Sequence, residues 1–157
     1  MESIRRRSRL GKRGYLGYRT RVELVRDGLD VYEPVVLAQP QAVYQFLKGI
    51  AKYDRESLYS IMLDAQNHVV GCEEVSRGSL NTTRTPPGEI YKSAILTNAL
   101  GIILGHNHPS GCLEPSPEDL EFTRAVRRAG EIIGVELYDH VIITDRGYAS
   151  MRERGML

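Results

Sequence analysis

Gly101-Ile102-Ile103-Leu104-Gly105-His106-Asn107-His108-Pro109-Ser110-Gly111 is the stretch on which the reading of this chain turns. The apolar run Ile102-Ile103-Leu104, bounded by two glycines, reads as a buried strand. Two histidines one residue apart follow it. In an extended backbone residues i and i+2 point to the same side, so both imidazoles can reach one point. Pro109 and Gly111 then end the strand and turn the chain. The chain restarts as a helix with Ser116 at the N-cap, Pro117 at the first helical position and Asp119 two residues further on. Two imidazole nitrogens and one carboxylate, His106, His108 and Asp119, make the ligand set of a catalytic zinc site that keeps a fourth position for water.

The same residues admit plainer explanations. Ser116-x-x-Asp119 also has the form of a capping box, with Asp where Glu or Gln is usual, so helix ends alone could account for both side chains. Two histidines beside a Pro/Gly turn could be surface loop residues. Yet the chain has only four histidines, and two of them sit together at a strand end facing a helix N-terminus.

His106-x-His108, seven intervening residues and Ser116-x-x-Asp119 together resemble the signature of the JAMM (MPN+) zinc metalloprotease domain. The fuller wording, His106-Asn107-His108-Pro109-Ser110-Gly111 with Glu114-Pro115-Ser116, resembles its RadC-like branch. The resemblance extends to Glu74-Val75-Ser76-Arg77-Gly78-Ser79-Leu80-Asn81, to Asp139-His140-Val141-Ile142-Ile143 and to Tyr148-Ala149-Ser150, covering roughly residues 40 to 157. It implies an α/β fold, a mixed β-sheet flanked by helices in a deaminase-like α-β-α sandwich. It also implies Zn2+ as cofactor and a protein or peptide as substrate. Fuller-length RadC-like proteins carry an N-terminal part resembling a DNA-binding helix-hairpin-helix, and 157 residues are too few to hold that part as well.

Composition agrees with one domain. The chain is 41% hydrophobic and 26% charged with a net charge of +1, ordinary for a soluble globular protein. Cys72 and Cys112 form no CxxC pair, which argues against a disulfide framework or a thiolate zinc knot and fits a reducing cytoplasm. No apolar stretch approaches a membrane span, and the basic start lacks the apolar region of a secretory signal. Charge is unevenly placed, however. Arg5, Arg6, Arg7, Arg9, Lys12, Arg13, Arg19 and Arg21 have no acidic residue among them. Residues 1–21 therefore read as a basic, flexible arm and residues 22–157 as the folded domain. Such arms are usually solvated tails; some contact nucleic acid.

Along the chain, Thr20 to Arg26 reads as an edge strand with Asp27-Gly28 as its turn, and 30–39 as loop. From Gln41, Val43, Phe46, Leu47 and Ile50 recur at helical spacing. Ser57 to Ala65 and His68 to Arg77 read as a hairpin turning at Gln66-Asn67. Residues 81–87 form a Thr/Pro-rich loop, and a helix starting near Pro87 carries Ile90, Tyr91, Ala94 and Ile95. In the helix after Ser116, one face carries Phe122, Ala125, Val126, Ala129, Ile132 and Ile133, and Gly134 closes it. Val135 to Thr144 and a short strand through Ala149 finish the chain. Helices alternate with strands around one hairpin, which predicts a mixed sheet.

The family resemblance also supplies a general base, a glutamate at the start of the strand preceding the hairpin, corresponding here to Glu56. Glu73 and Glu74 are nearer in sequence to the histidines and remain rivals. The resemblance gives the Ser116 hydroxyl a catalytic role beside its cap, helping to hold the oxyanion. His140 reads as half of a structural hydrogen-bonded pair with Asp139, His68 as exposed, and Cys112 as incidental to the site. The leading expectation is a zinc-dependent peptidase or isopeptidase. The alternative is a DNA-repair-associated accessory protein in which the basic arm binds nucleic acid and the metal is structural or vestigial. An iron(II) facial triad uses the same ligand types but lacks a visible co-substrate anchor. Nucleobase deamination is excluded by the missing H-x-E and P-C-x-x-C elements. The sequence names neither the substrate nor the oligomeric state.

Overall fold

The computed structural model describes residues 35–78 and 85–157. In chain order the elements are α1 (Pro40–Leu47), continued by a 3₁₀ segment (Lys48–Lys52), β1 (Ser57–Leu63), β2 (Val69–Arg77), α2 (Pro87–Leu96), β3 (Gly101–Asn107), α3 (Pro117–Ile133), β4 (Glu136–Thr144) and β5 (Gly147–Ser150). Ile102 and Leu104 are wholly buried and Ile103 nearly so, so β3 needs cover on both faces. It lies at the centre of a five-stranded sheet of order β2-β1-β3-β4-β5. β3 runs antiparallel to β1 and parallel to β4, and the remaining pairs are antiparallel. The expected mixed sheet in an α-β-α sandwich is what the chain forms.

Strand alternation divides the core. Ile102 and Leu104 pack with Leu58 and Met62 of β1 against α2 and α3, through Ile90, Tyr91, Phe122 and Val126. Ile103 packs on the opposite face with Ile61, Leu63, Val141 and Ile143 against Val43 and Leu47 of α1 and Ile50 beyond it. Gly105 lies on this second face, where an added Cβ would fall 2.2 Å from Leu47 Cδ1. The helix can cross β3 that closely only because the position has no side chain.

Several local expectations change. β1 is buried on both faces, Ser60 and Met62 as well as Ile61 and Leu63, because it is an interior strand with a helix layer on each side. Phe46 is 38% exposed and Ile132 is 87% exposed. The buried stripe of α3 runs Asp119, Phe122, Thr123, Val126 and Gly130, and Ile132 falls outside it. His68 is half-buried, its Nδ1 3.1 Å from Asp64 Oδ2. Gly134 closes α3 as expected, with φ of 81°.

The basic arm 1–21, the expected strand Thr20 to Arg26 with its Asp27-Gly28 turn, residues 30–34 of the expected first loop and residues 81–84 of the Thr/Pro-rich loop lie outside the described residues. Among the described residues, no helix is long and apolar enough to cross a membrane, and both cysteines are free.

Candidate metal centre

β3 stays extended through His106, so His106 shares the α3-facing side with Ile102 and Leu104. His108 follows beyond the strand end, its backbone N–H donating to Ile143 O at 3.0 Å. Facing them is the first turn of α3. Ser116 caps that helix in a reciprocal box: Ser116 Oγ accepts from Asp119 N at 3.1 Å, and Asp119 Oδ2 accepts from Ser116 N at 2.8 Å. Ser116 Oγ also donates to Asp119 Oδ2 at 2.7 Å. The capping box and the metal reading, alternatives in the sequence, are here one arrangement. The cap fixes the carboxylate that faces the histidines.

His106 Nε2 lies 2.8 Å from His108 Nε2 and 3.5 Å from Asp119 Oδ1, and His108 Nε2 lies 3.3 Å from Asp119 Oδ2. All three residues are buried, and together they form a group able to hold a metal ion. Ligand atoms at the corners of a zinc tetrahedron with bonds of about 2.0–2.1 Å stand roughly 3.3 Å apart, close to these spacings.

The proton inventory fits a cation as well. Thr123 Oγ donates to Asp119 O at 2.6 Å, leaving the hydroxyl oxygen to accept from His140 Nδ1 at 2.6 Å. His140 Nε2 is then the acceptor for His106 Nδ1 at 2.8 Å, and His106 Nε2 carries a bare lone pair. His108 Nδ1 donates to Cys112 O at 2.8 Å, which leaves its Nε2 bare too. Two lone pairs and a carboxylate aimed at one another repel unless a positive charge lies between them, so the donor set fits a divalent metal.

The electrostatics agree. Burial holds His106 well below the usual histidine range, and the neighbouring His140 and His108 add to the shift. Burial lowers His140 to about 4. His108 is raised, chiefly by a hydrogen bond to Asp119 that its Nε2 makes when protonated, with the charge of Glu56 adding to the shift, so a metal ion would take the place of that proton. Burial alone would raise Asp119, but its contacts with His108, His106 and Ser116 outweigh burial and lower it.

Glu56 stands half-buried just before β1, its main-chain oxygen accepting from Gly78 N at 2.7 Å. Leu58 pairs with His106, and Glu56 two residues before the one and His108 two after the other stand at the same end of the β1–β3 pair. Glu73 and Glu74 lie on β2, beyond β1. Glu73 accepts from Ser93 Oγ. Glu74 is bound by Ser57 Oγ, Tyr59 Oη and Arg77 Nε at 3.1, 3.2 and 2.8 Å. The Cys112 thiol sits 3.9 Å from Glu114 O, while its carbonyl orients His108.

Two residues of the centre escaped the sequence reading. His140 does pair with Asp139, but through its backbone N–H at 2.7 Å. Its ring is wedged between His106 and Thr123. Thr123 follows Asp119 by one helical turn, a spacing that offered a hint.

A family profile described as RadC-like JAB domain matches residues 37–156. A UPF0758 protein of Symbiobacterium thermophilum is 44% identical over 124 residues, 78% of this chain and 53% of that relative. A UPF0758 protein of Desulfitobacterium hafniense is 44% identical over 123 residues, covering 78% and 54%. One of Rubrobacter xylanophilus is 45% identical over 123 residues, with the same coverage of 78% and 54%. The chain spans about half the length of the curated relatives it matches.

Proposed function

The chain belongs to the family of RadC-like JAB domains, and on that footing we propose that it is a zinc-dependent hydrolase cleaving an amide bond in a protein or peptide, as a peptidase or isopeptidase. The observation that carries this reading is the convergence of two bare imidazole nitrogens and a carboxylate at 2.8–3.5 Å, next to a strand end where a glutamate waits. His106, His108 and Asp119 would hold the ion. Zinc, when bound, supplies a Lewis acid that polarises a carbonyl and brings water to ionise near neutral pH.

The chain's own groups supply the rest. Glu56 takes the proton from the attacking water and returns it to the departing amine nitrogen as the C–N bond breaks. Its support is its place at the end of the β1–β3 pair where His108 stands and the influence of its charge on that imidazole. Ser116 Oγ can turn from Asp119 Oδ2 to the carbonyl oxygen as charge develops there, a kind of contact worth ~3 kcal/mol.

The test is hydrolysis of a panel of peptide and isopeptide substrates by the zinc-loaded protein and by Glu56→Gln. The variant should keep its zinc and lose about 10²–10⁴-fold in rate, the usual contribution of a positioned base. Full activity in zinc-loaded Glu56→Gln would remove Glu56 from the mechanism.

A second reading rests on the eight cationic residues between Arg5 and Arg21. In it the chain is a DNA-repair-associated accessory protein, its arm binding nucleic acid beside a structural metal. Salt-dependent DNA binding that disappears on removing residues 1–21 would favour it.

A further inference from the structure

Between the two histidines sits Asn107, which strand alternation turns to the opposite face. It is fully buried, and its carboxamide is committed to one segment. Nδ2 donates to Arg55 O at 3.0 Å and to Tyr53 O at 3.4 Å, and Oδ1 accepts from Ser57 N at 2.7 Å. Two carbonyls on one side and an N–H on the other fix the orientation of the amide, since the flipped form would set oxygen against oxygen. These partners bracket Glu56. Among the described residues, the segment from Tyr53 to Glu56 lies outside the sheet and outside the 3₁₀ segment before it, and Ser57 begins β1. Along its main chain, Tyr53 N donates to Ile50 O at 3.0 Å and Glu56 O accepts from Gly78 N. The residue joining the two metal-facing imidazoles is thus also what ties down the turn carrying the glutamate.

We propose that Asn107 is a positioning residue for Glu56, holding the 53–57 turn so that the carboxylate stands at the metal-facing histidines. This rests on the reading of Glu56 as general base. One strand, β3, then sets both halves of the site: His106 and His108 on one face take the ion, and Asn107 on the other fixes the base. Any shift of β3 moves them together, so the base keeps its distance from the ion without a contact between them.

The test reads the site optically. Wild type, Glu56→Gln, Asn107→Leu and the double variant are loaded with cobalt(II), and visible absorption is followed against pH. Leucine keeps the branched heavy-atom skeleton of asparagine, removes its hydrogen bonds and adds no charge. Removing a nearby negative charge in Glu56→Gln should lower the midpoint by about one pH unit. Asn107→Leu should lower it similarly at unchanged cobalt stoichiometry, and the double variant should shift no further than either single one. If Glu56→Gln shifts the midpoint and Asn107→Leu does not, the positioning role is wrong while the base survives. If Glu56→Gln leaves the midpoint in place, Glu56 is not at the ion and both ideas fall. Asn107→Ser carries the same comparison should the leucine variant not fold.

Discussion

His140 is the residue on which the centre's finer behaviour depends. It has no contact with the metal position, yet it passes the hydrogen bond of Thr123 to His106 and so sets which nitrogen of His106 is bare. Thr123→Val keeps the shape and removes the hydroxyl. It should weaken zinc binding 10–100-fold in competition with a chromophoric chelator, the usual cost of losing such an outer partner. Unchanged affinity would mean that the chain of bonds does not orient His106. A pH effect follows from the same burial. In chelator-treated protein His140 is held neutral, with its pKa down at about 4 against an ordinary 6.5. The unfolded chain takes up that proton first, so stability present above about pH 6.5 is lost as pH falls toward 4. His106 acts in the same direction, while the raised His108 acts against it. Urea midpoints measured from pH 7 to pH 4.5 should fall, and a flat profile would contradict the neutral assignment. The three metal-facing residues were legible in the sequence because strand alternation and a helix cap are local rules. His140 was not, since its place beside Leu104 comes from the β3–β4 register, which no local pattern encodes.

Helix α3 carries Asp119 at its first turn and must still pass closely over Tyr91 of α2 at its far end. Gly130 permits this. An added Cβ there would lie 2.3 Å from Tyr91 Oη and 2.5 Å from Val135 O, the latter backbone that cannot move aside. Alanine favours a helix over glycine by roughly 1 kcal/mol, but overpacking of this kind costs about 1–3 kcal/mol. Gly130→Ala should therefore destabilise the protein in urea unfolding. A stabilised variant would show that the helix can lift without penalty. The elements themselves were largely visible from periodicity and caps: Pro87, Ser116-Pro117 and Gly134 all mark real helix ends. Burial was less visible. Ile132 looked like a core residue because it is apolar and near the right spacing, but α3 meets the sheet along the Asp119–Gly130 stripe.

For the whole molecule, the sheet order brings together residues far apart in the chain. β3 is central, β1 beside it delivers the turn with Glu56, and β4 on its other side delivers His140. α3, the crossover between two parallel strands, delivers Asp119. The order of strands was not readable from the sequence, because hairpin and crossover connections are compatible with several placements of the β1–β2 hairpin. The architecture follows from the family resemblance, while each residue's neighbour is set by the strand register of the folded chain. The proposed chemistry depends on His106, His108 and Asp119 holding a metal ion. The measurement that tests it most directly is elemental analysis of wild type and His108→Ala, both purified without chelator. The site as described predicts about one zinc per chain in wild type and its loss in the variant. A wild type that binds no zinc even after reconstitution, or a variant that keeps the full amount, would contradict it.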